Sequence, residues 1–132
     1  MNPLSNLEKV ERYLRSIESG DFASIIDLFS PDAVVEQLPN RIYPNGIKSE
    51  VSKVAEAFEK GRKLLSSQTY EITSSVADGD KLSIEVIWTG TLAVAFGNLP
   101  IGSQMRAHSA MFFQFEDGRI RSQRNYDCFE PW

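Results

Sequence analysis

The sequence predicts an α+β fold, in which helices pack on one face of a curved, mostly antiparallel sheet. Apolar residues recur at helical spacing through the first half of the chain, and they alternate with polar residues at strand spacing through the second half. Helices first and antiparallel strands afterwards is the order typical of this class. With 132 residues the chain is long enough to bury a core, and we expect residues 1–132 to form one domain.

The first two helices are predicted from residues that cap helix ends. Ser5 and Glu8 can form the capping box of a helix from about Leu7 to Ser19. Asp21 is a good N-cap for a second helix. That helix is expected to end at Ser30-Pro31, because the residue before proline is pushed out of helical geometry.

A short strand, a loop and a third helix are predicted next. Ala33–Leu38 is the strand, and Pro39–Gly46 is a surface loop because it holds two prolines, Asn45 and Gly46. Apolar residues then return at helical spacing from about Lys48 to Leu65. We therefore expect three helices before the main run of strands.

Strands fill the rest of the chain. One covers Thr69–Val76 and turns at Asp78-Gly79 into a longer strand, Lys81 to about Val94. Gly90, inside the long strand, is expected to mark a bulge or bend that curves the sheet. Gly97–Ser103 is a loop with Pro100 and two glycines, and it leads into the last two strands.

The final stretch, from Met105 to Trp132, is predicted to be a long hairpin. Asp117-Gly118 is its turn, since glycine tolerates the positive φ that a tight hairpin needs. Side chains alternate between the two faces of a strand, so Gln123, Asn125 and Asp127 share one face. A row of polar groups on that face suggests that it lines a cavity.

Composition excludes several functional classes. The net charge of −4 provides no basic surface for nucleic acid. No run of about 18 apolar residues exists, so we expect no membrane span, and no charged-then-apolar signal pattern opens the sequence. A single cysteine fits a reducing cytoplasm, and one cysteine with one histidine makes a zinc site improbable.

The order of these elements resembles the NTF2-like superfamily, and within it the SnoaL-like and ketosteroid-isomerase-like branch. The resemblance extends over most of the chain and is carried by RYLRSIESGDFASIIDLFSPDAVVEQ, EVIWTG and FFQFEDGRIRSQRNYDCFEPW. It implies a cone-shaped, cystatin-like fold with a deep, largely apolar pocket. It also implies a homodimer formed through the outer face of the sheet.

The ketosteroid isomerases supply one comparison for site residues. Tyr13 matches the tyrosine that donates a hydrogen bond to the dienolate oxygen. Gln37 stands where those enzymes carry the general-base aspartate, and Met111 stands where they carry the second, protonated acid. Two of the three groups are therefore absent, and the resemblance implies no steroid isomerisation by that mechanism.

SnoaL-type cyclases and limonene-epoxide-hydrolase-like enzymes supply a second comparison. They carry a catalytic aspartate on the final strand, and the matching position here is Asn125. The acid on the same strand face is Asp127, one pleat further along. Asp127 and Tyr13 are therefore the candidate catalytic residues.

Each candidate has a functional and a structural interpretation. Asp127 is either a general acid or base, or a carboxylate held by neighbouring donors; Tyr13 either orients a ligand oxygen or is a satisfied core tyrosine. Polar groups that either bind a ligand or hold ordered water are Gln37, Gln123 and Asn125. Apolar residues that form pocket wall, core or both are Ile84, Val86, Trp88 and Met111.

Three functions follow from these alternatives. The first is a cofactor-independent isomerase, cyclase or lyase that moves a proton next to a carbonyl of a small apolar molecule bearing an oxygen. The second is a non-catalytic module that binds such a molecule, and the third is a dimerisation domain. His108 is assigned to the surface or an interface, and Cys128 to a structural role, because no charged neighbour activates its thiol.

Overall fold

A computed structural model of the protein describes residues 4–132. It contains three helices, α1 (Asn6–Ser19), α2 (Ala23–Ile26) and α3 (Val51–Leu64). Its six strands form one sheet, β1 (Phe29–Gln37), β2 (Ile47–Glu50), β3 (Leu65–Asp78), β4 (Lys81–Leu92), β5 (Gln104–Glu116) and β6 (Arg119–Phe129). The spatial order is β2-β1-β6-β5-β4-β3, and all neighbours are antiparallel except β1 and β6. The predicted α+β class is confirmed.

Helix α1 forms as its caps predict. The Ser5 side chain accepts from the Glu8 backbone N–H, and the Glu8 carboxylate accepts from the Ser5 N–H, both at 3.1 Å. Gly20 ends the helix in the left-handed region at φ 78°. One face of α1, including Tyr13 and Leu14, is buried against the sheet.

The second helix is much shorter than predicted. The Asp21 carboxylate does accept from the backbone N–H and hydroxyl of Ser24, but α2 is a single turn. Phe29 already belongs to β1, because it pairs with Ile120 of β6 in the parallel ladder. The register then shifts by several residues, and this irregular segment holds Pro31, which has no N–H to donate to a ladder.

The third helix also begins later than predicted, and it is not N-terminal to all the strands. Residues Ile47–Glu50 form β2, which pairs antiparallel with β1, and α3 starts only at Val51. The expected group of three helices ahead of the sheet is therefore corrected to one full helix, one turn, two strands and a second full helix.

The long hairpins form at the predicted turns. Asp117 and Gly118 have φ of 51° and 78°, the pair of positive values that defines a type I′ turn. Gly90 does not mark a bulge, since its pairing with Gln68 and Met105 is regular on both sides. The irregularities instead lie in β3, β6 and the first part of β1. Gly90 instead leaves room for the ring of Trp88.

Alternate residues of β4, β5 and β6 point into the space between the sheet and the helices. Leu82, Ile84 and Val86 of β4 are buried there, together with Met111 and Phe113 of β5. The opposite face of the sheet carries exposed side chains. Among the described residues, no helix has both the length and the apolar character that crossing a membrane requires.

Candidate functional site

A cavity of about 270 Å³ lies between the inner face of the sheet, α1 and the end of α3. Most of its wall is apolar. The wall includes Leu14 and Ile17 of α1, Phe58 of α3, and Leu92 and Met105 of the neighbouring strands β4 and β5. An apolar wall with a few polar groups is typical of small-molecule sites.

Seven of the nine predicted site residues meet at this cavity. They are Tyr13, Gln37, Trp88, Met111, Gln123, Asn125 and Asp127. Ile84 and Val86 do not line it. Both share the strand face of Trp88, but they lie deeper along β4 and pack within the hydrophobic core. Of the two interpretations given for these residues, core applies to both.

The polar side of the cavity follows β6. Gln123, Asn125 and Asp127 alternate along this strand and all face the cavity. The Gln123 amide donates to Oδ1 of Asn125 at 2.9 Å. Gln37 joins this row because β1 pairs with β6 in parallel and places Gln37 beside Asn125.

Asp127 lies at the outer end of the row in a partly desolvated position. The Ser109 hydroxyl, on the neighbouring strand β5, donates to Oδ1 of Asp127 at 2.6 Å. Burial raises the pKa of the Asp127 carboxyl, and the hydrogen bond from Ser109 opposes only part of that rise. The pKa of this carboxyl therefore lies closer to neutral pH than that of an exposed aspartate. A group that takes up and returns protons needs such a pKa.

Tyr13 lies deep in the cavity and is 1% exposed. Its ring packs edge-to-face against Phe29, Phe58 and Phe113, with centroid distances of 5.4, 6.3 and 6.3 Å. Burial raises its pKa far above that of a free phenol, and the nearby Gln123 side chain lowers it slightly. Tyr13 therefore stays protonated at neutral pH, as a hydrogen-bond donor must.

Tyr70 is another cavity tyrosine that sequence reasoning missed, and Tyr43, which is 38% exposed, is a third. Burial raises the pKa of Tyr70 most strongly, and repulsion from Tyr13, Asp127 and Glu18 raises it further. Tyr70 lines the same cavity as Tyr13 and Asp127, the two candidate catalytic residues. Its strand was predicted, but its place in the same cavity as Asp127 depends on the pairing of strands β3 to β6, which the sequence does not reveal.

Side chains of α1 hold the Tyr70 backbone. Oε2 of Glu18 accepts from the Tyr70 N–H at 2.7 Å, and the Arg15 guanidinium donates to the Tyr70 carbonyl, also at 2.7 Å. Arg15 and Glu18 are themselves paired at 2.8 Å. We call these two residues the α1 clamp, because they fix the strand that carries Tyr70 to the helix that carries Tyr13.

Gln123 keeps one polar atom without a partner. Its Oε1 is buried, and no described residue donates to it, although the Tyr13 side chain is close by. Buried polar atoms in native proteins are usually satisfied, by ordered water where no protein group serves. This oxygen is thus available to a water molecule or to a donor group of a ligand in the cavity.

A second polar pair faces the cavity on β3 and β4. The Trp88 indole N–H donates to Oε1 of Gln68 at 3.0 Å, and both residues line the cavity. Sequence reasoning selected Trp88 from the alternation of β4. It missed Gln68 and Ser109, whose roles depend on neighbours in adjacent strands.

Aromatic residues surround the mouth of the cavity. Phe96, from the loop after β4, and Phe129 of β6 line it, and the Trp132 ring packs on both at 6.1 and 5.5 Å. Trp132 also lies against the Arg41 guanidinium, 3.8 Å from the ring centre. The loop before β2 is thereby tied to the C-terminal residues beside the opening.

The arrangement can perform acid–base chemistry with few groups. Asp127 is the carboxyl among the described lining residues, and Tyr13 and Tyr70 are neutral donors beside it. Within residues 4–132, no three histidine, cysteine or acidic side chains come together as a metal site would require.

Solved structures with the same fold occur in several bacteria. The polyketide cyclase candidate IdmH of Streptomyces antibioticus superposes with a TM-score of 0.78 at 18% identity, over 91% of this chain and 89% of that one. A Catenulispora acidiphila protein with a ketosteroid isomerase-like fold, solved with trimethylamine, gives 0.77 at 15% identity over 94% and 88%. A phenazine biosynthesis-related protein of Pseudomonas aeruginosa gives 0.74 at 20% identity over 92% and 78%.

Sequence comparison identifies the family directly. Comparison with curated proteins gives no match. The sequence pattern of the SnoaL-like domain, however, matches residues 10–123, which run from within α1 through α2, α3 and strands β1 to β5 into the first part of β6. The resemblance inferred from the sequence is confirmed, and the chain belongs to the SnoaL-like domain family.

Proposed function

We propose that the protein binds a small apolar molecule bearing an oxygen and moves a proton on a carbon next to its carbonyl. One observation carries this proposal. Asp127, a carboxyl whose pKa is raised by burial, shares a mainly apolar cavity with two protonated phenols, Tyr13 and Tyr70. That combination provides a base for a carbon acid and donors for the oxygen that becomes negative.

Each group has a defined part in the reaction. Asp127 removes the proton, and the electrons of the broken C–H bond move to the carbonyl oxygen. Tyr13 and Tyr70 donate to that oxygen, while Gln37 and Asn125 orient the substrate. Return of the proton at another carbon gives isomerisation, and attack of the new enol carbon on a second carbonyl gives cyclisation. Loss of a hydroxide from the neighbouring carbon, protonated on leaving, gives dehydration.

Deuterium exchange on simple ketones tests the proton-transfer step and does not require the natural substrate. Small aryl and cycloalkyl ketones are incubated with the protein in D₂O, and mass spectrometry measures deuterium next to the carbonyl. We expect catalysed exchange with wild type and with Glu71→Gln, which changes an exposed acid of β3. Asp127→Asn should lose exchange. Equal exchange in Asp127→Asn and wild type would contradict the role of Asp127.

A non-catalytic binding module is the second candidate, and one observation favours it. Gln37 lines the cavity where the resemblance places a general base, so a single carboxyl serves the described part of the wall. A binding module would show ligand-dependent increases in melting temperature with those ketones, but no exchange above the Asp127→Asn background.

A further inference from the structure

We infer that Gln68 determines ligand specificity by donating a hydrogen bond to an acceptor oxygen, such as a carbonyl, at a second position in the cavity. This inference rests on the proposed function, since it requires that the cavity binds a small apolar molecule. It adds that the ligand carries two oxygen functions, one near Asp127 on β6 and one near Gln68 on β3. Two strands, β5 and β4, lie between β6 and β3 in the sheet.

The orientation of the Gln68 amide is fixed by chemistry. The indole N–H of Trp88 can only donate, so the atom that receives it at 3.0 Å must be the amide oxygen of Gln68. The amide nitrogen of Gln68 then points elsewhere. None of the described residues accepts a hydrogen bond from it, and Gln68 lines the cavity. The residue therefore offers N–H donors to a ligand.

Trp88 is itself held in place. A side chain at Gly90 would come within 2.5 Å of the Trp88 ring, so the indole lies directly over the glycine. The ring also meets Phe129 edge-to-face at 6.2 Å. Gly90 pairs with Gln68 across the ladder, so the bare glycine allows Trp88 to reach Gln68 diagonally.

This geometry favours an acceptor over an apolar group of the same shape. A carbonyl satisfies the Gln68 N–H, whereas a hydrocarbon at that point leaves the donor unpaired. Sites built around a hydrogen bond reject analogues that lack the partner atom. A neutral hydrogen bond contributes about 1 kcal/mol, which corresponds to about fivefold in affinity.

A matched pair of fluorescent probes tests the inference. The probes are 6-acetyl-2-naphthol and 6-isopropenyl-2-naphthol. They have the same shape, but the C=O group of the first is replaced by C=CH₂ in the second. We expect the acetyl probe to bind wild type about fivefold more tightly in fluorescence titrations. Gln68→Met should abolish the preference. The carboxylate of Gln68→Glu can still accept from Trp88 but offers no N–H. This variant should therefore also lose the preference for the acetyl probe. Gln104→Met, on an exposed residue outside the cavity, should retain it.

The outcomes separate this inference from the proposed function. If both probes bind and either Gln68 variant keeps the full preference for the acetyl group, Gln68 has no part in specificity, but the cavity still binds ligand. If neither probe binds wild type at concentrations up to its solubility, both the inference and the binding role of the cavity are overturned.

Discussion

Asp127 shows how one residue links stability to activity. Its folded-state pKa is higher than the value in an unfolded chain because the ionised form is partly desolvated. The folded protein therefore holds the proton more tightly, and stability declines as pH rises from the unfolded pKa to the folded pKa. Above that window the ionised carboxylate lowers stability by a constant amount. Under the proposed function, the same raised pKa makes Asp127 a better proton acceptor, so the loss of stability would accompany its catalytic role.

Asp127→Asn should therefore stabilise the protein at neutral pH while abolishing exchange. Asparagine retains an oxygen that can accept from Ser109, but it removes the buried charge. We expect the melting temperature at pH 7 to rise by roughly 2–5 °C, the scale of ~1 kcal/mol for a chain of this length. At pH 3, where the aspartate is protonated in both states, the difference should vanish. Lower stability of the variant at pH 7 would show that Asp127 is held by favourable contacts.

The phenols of Tyr13 and Tyr70 should each contribute to exchange. Tyr13→Phe and Tyr70→Phe remove a donor from the developing oxyanion, and we expect each to slow ketone exchange by about 10²-fold. Tyr126→Phe, on an exposed tyrosine of the outer face, is the matched control and should have no effect. Exchange that depends on Tyr13 but not on Tyr70 would leave Tyr70 a wall residue.

Gln37 and Met111 should prevent the ketosteroid isomerase reaction. Both line the cavity, and neither side chain can take up and return a proton there. We expect no efficient conversion of a 5-ene-3-ketosteroid, followed by the absorbance of the conjugated product. Efficient conversion by wild type that is lost in Tyr13→Phe would show that these two positions were matched wrongly.

The candidate site was predictable where it depends on one strand. Alternation along β6 is sufficient to place Gln123, Asn125 and Asp127 on one face, because side chains repeat every two residues. Tyr70 and Gln68 were missed because their roles depend on which strands are neighbours and in what register. No local pattern in the sequence encodes that register.

At the scale of elements, the α1 clamp forms hydrogen bonds to backbone groups at one edge of the sheet. Strand β3 is an edge strand, and edge strands present unpaired N–H and C=O groups. Glu18 and Arg15 satisfy these groups at Tyr70 as a neighbouring strand would. They also set the separation between the helix that carries Tyr13 and the strand that carries Tyr70.

Glu18→Ala should loosen this edge. A hydrogen bond to a charged acceptor contributes about 1.5–3 kcal/mol, so we expect unfolding free energy to fall by about that amount. Amide exchange at Tyr70 should accelerate more than exchange in β5, measured by NMR. Glu11→Ala, on an exposed residue of α1, is the control. Unchanged protection at Tyr70 would mean that β3 is held by β4 alone.

Predicted element boundaries failed where distant pairing overrides local preference. The capping residues Ser5 and Gly20 predicted both ends of α1 to within a residue, because capping depends on local interactions. Phe29 and Lys48–Glu50 were assigned to helices, yet they pair with β6 and β1 respectively. Pairing of Phe29 with Ile120, some 90 residues away, leaves no local signal at Phe29.

At the scale of the whole molecule, the outer face of the sheet carries exposed aromatic residues that take no part in the candidate site. Phe112 and Tyr126 are 36% and 43% exposed and meet edge-to-face at 5.5 Å. The Arg124 guanidinium lies 5.4 Å over the Phe112 ring. His108, beside them on β5, contacts Glu130 at 2.8 Å. Exposed apolar groups ringed by polar residues are typical of protein interfaces.

We expect this face to pair two copies of the chain. Sedimentation at micromolar concentration should show a species near twice the chain mass of 14.9 kDa. Tyr126→Glu places a charge in the centre of the aromatic patch, and it should shift the species to the monomer because an unpaired buried charge is costly. Ile101→Glu is the control, since Ile101 is 69% exposed in the loop between β4 and β5, outside the strands that form the patch. If wild type is a monomer at these concentrations, both the dimer and the dimerisation role are contradicted. If the Tyr126→Glu variant is still a dimer, the interface lies elsewhere. Ketone exchange that persists in a Tyr126→Glu monomer would show that each chain carries a complete site.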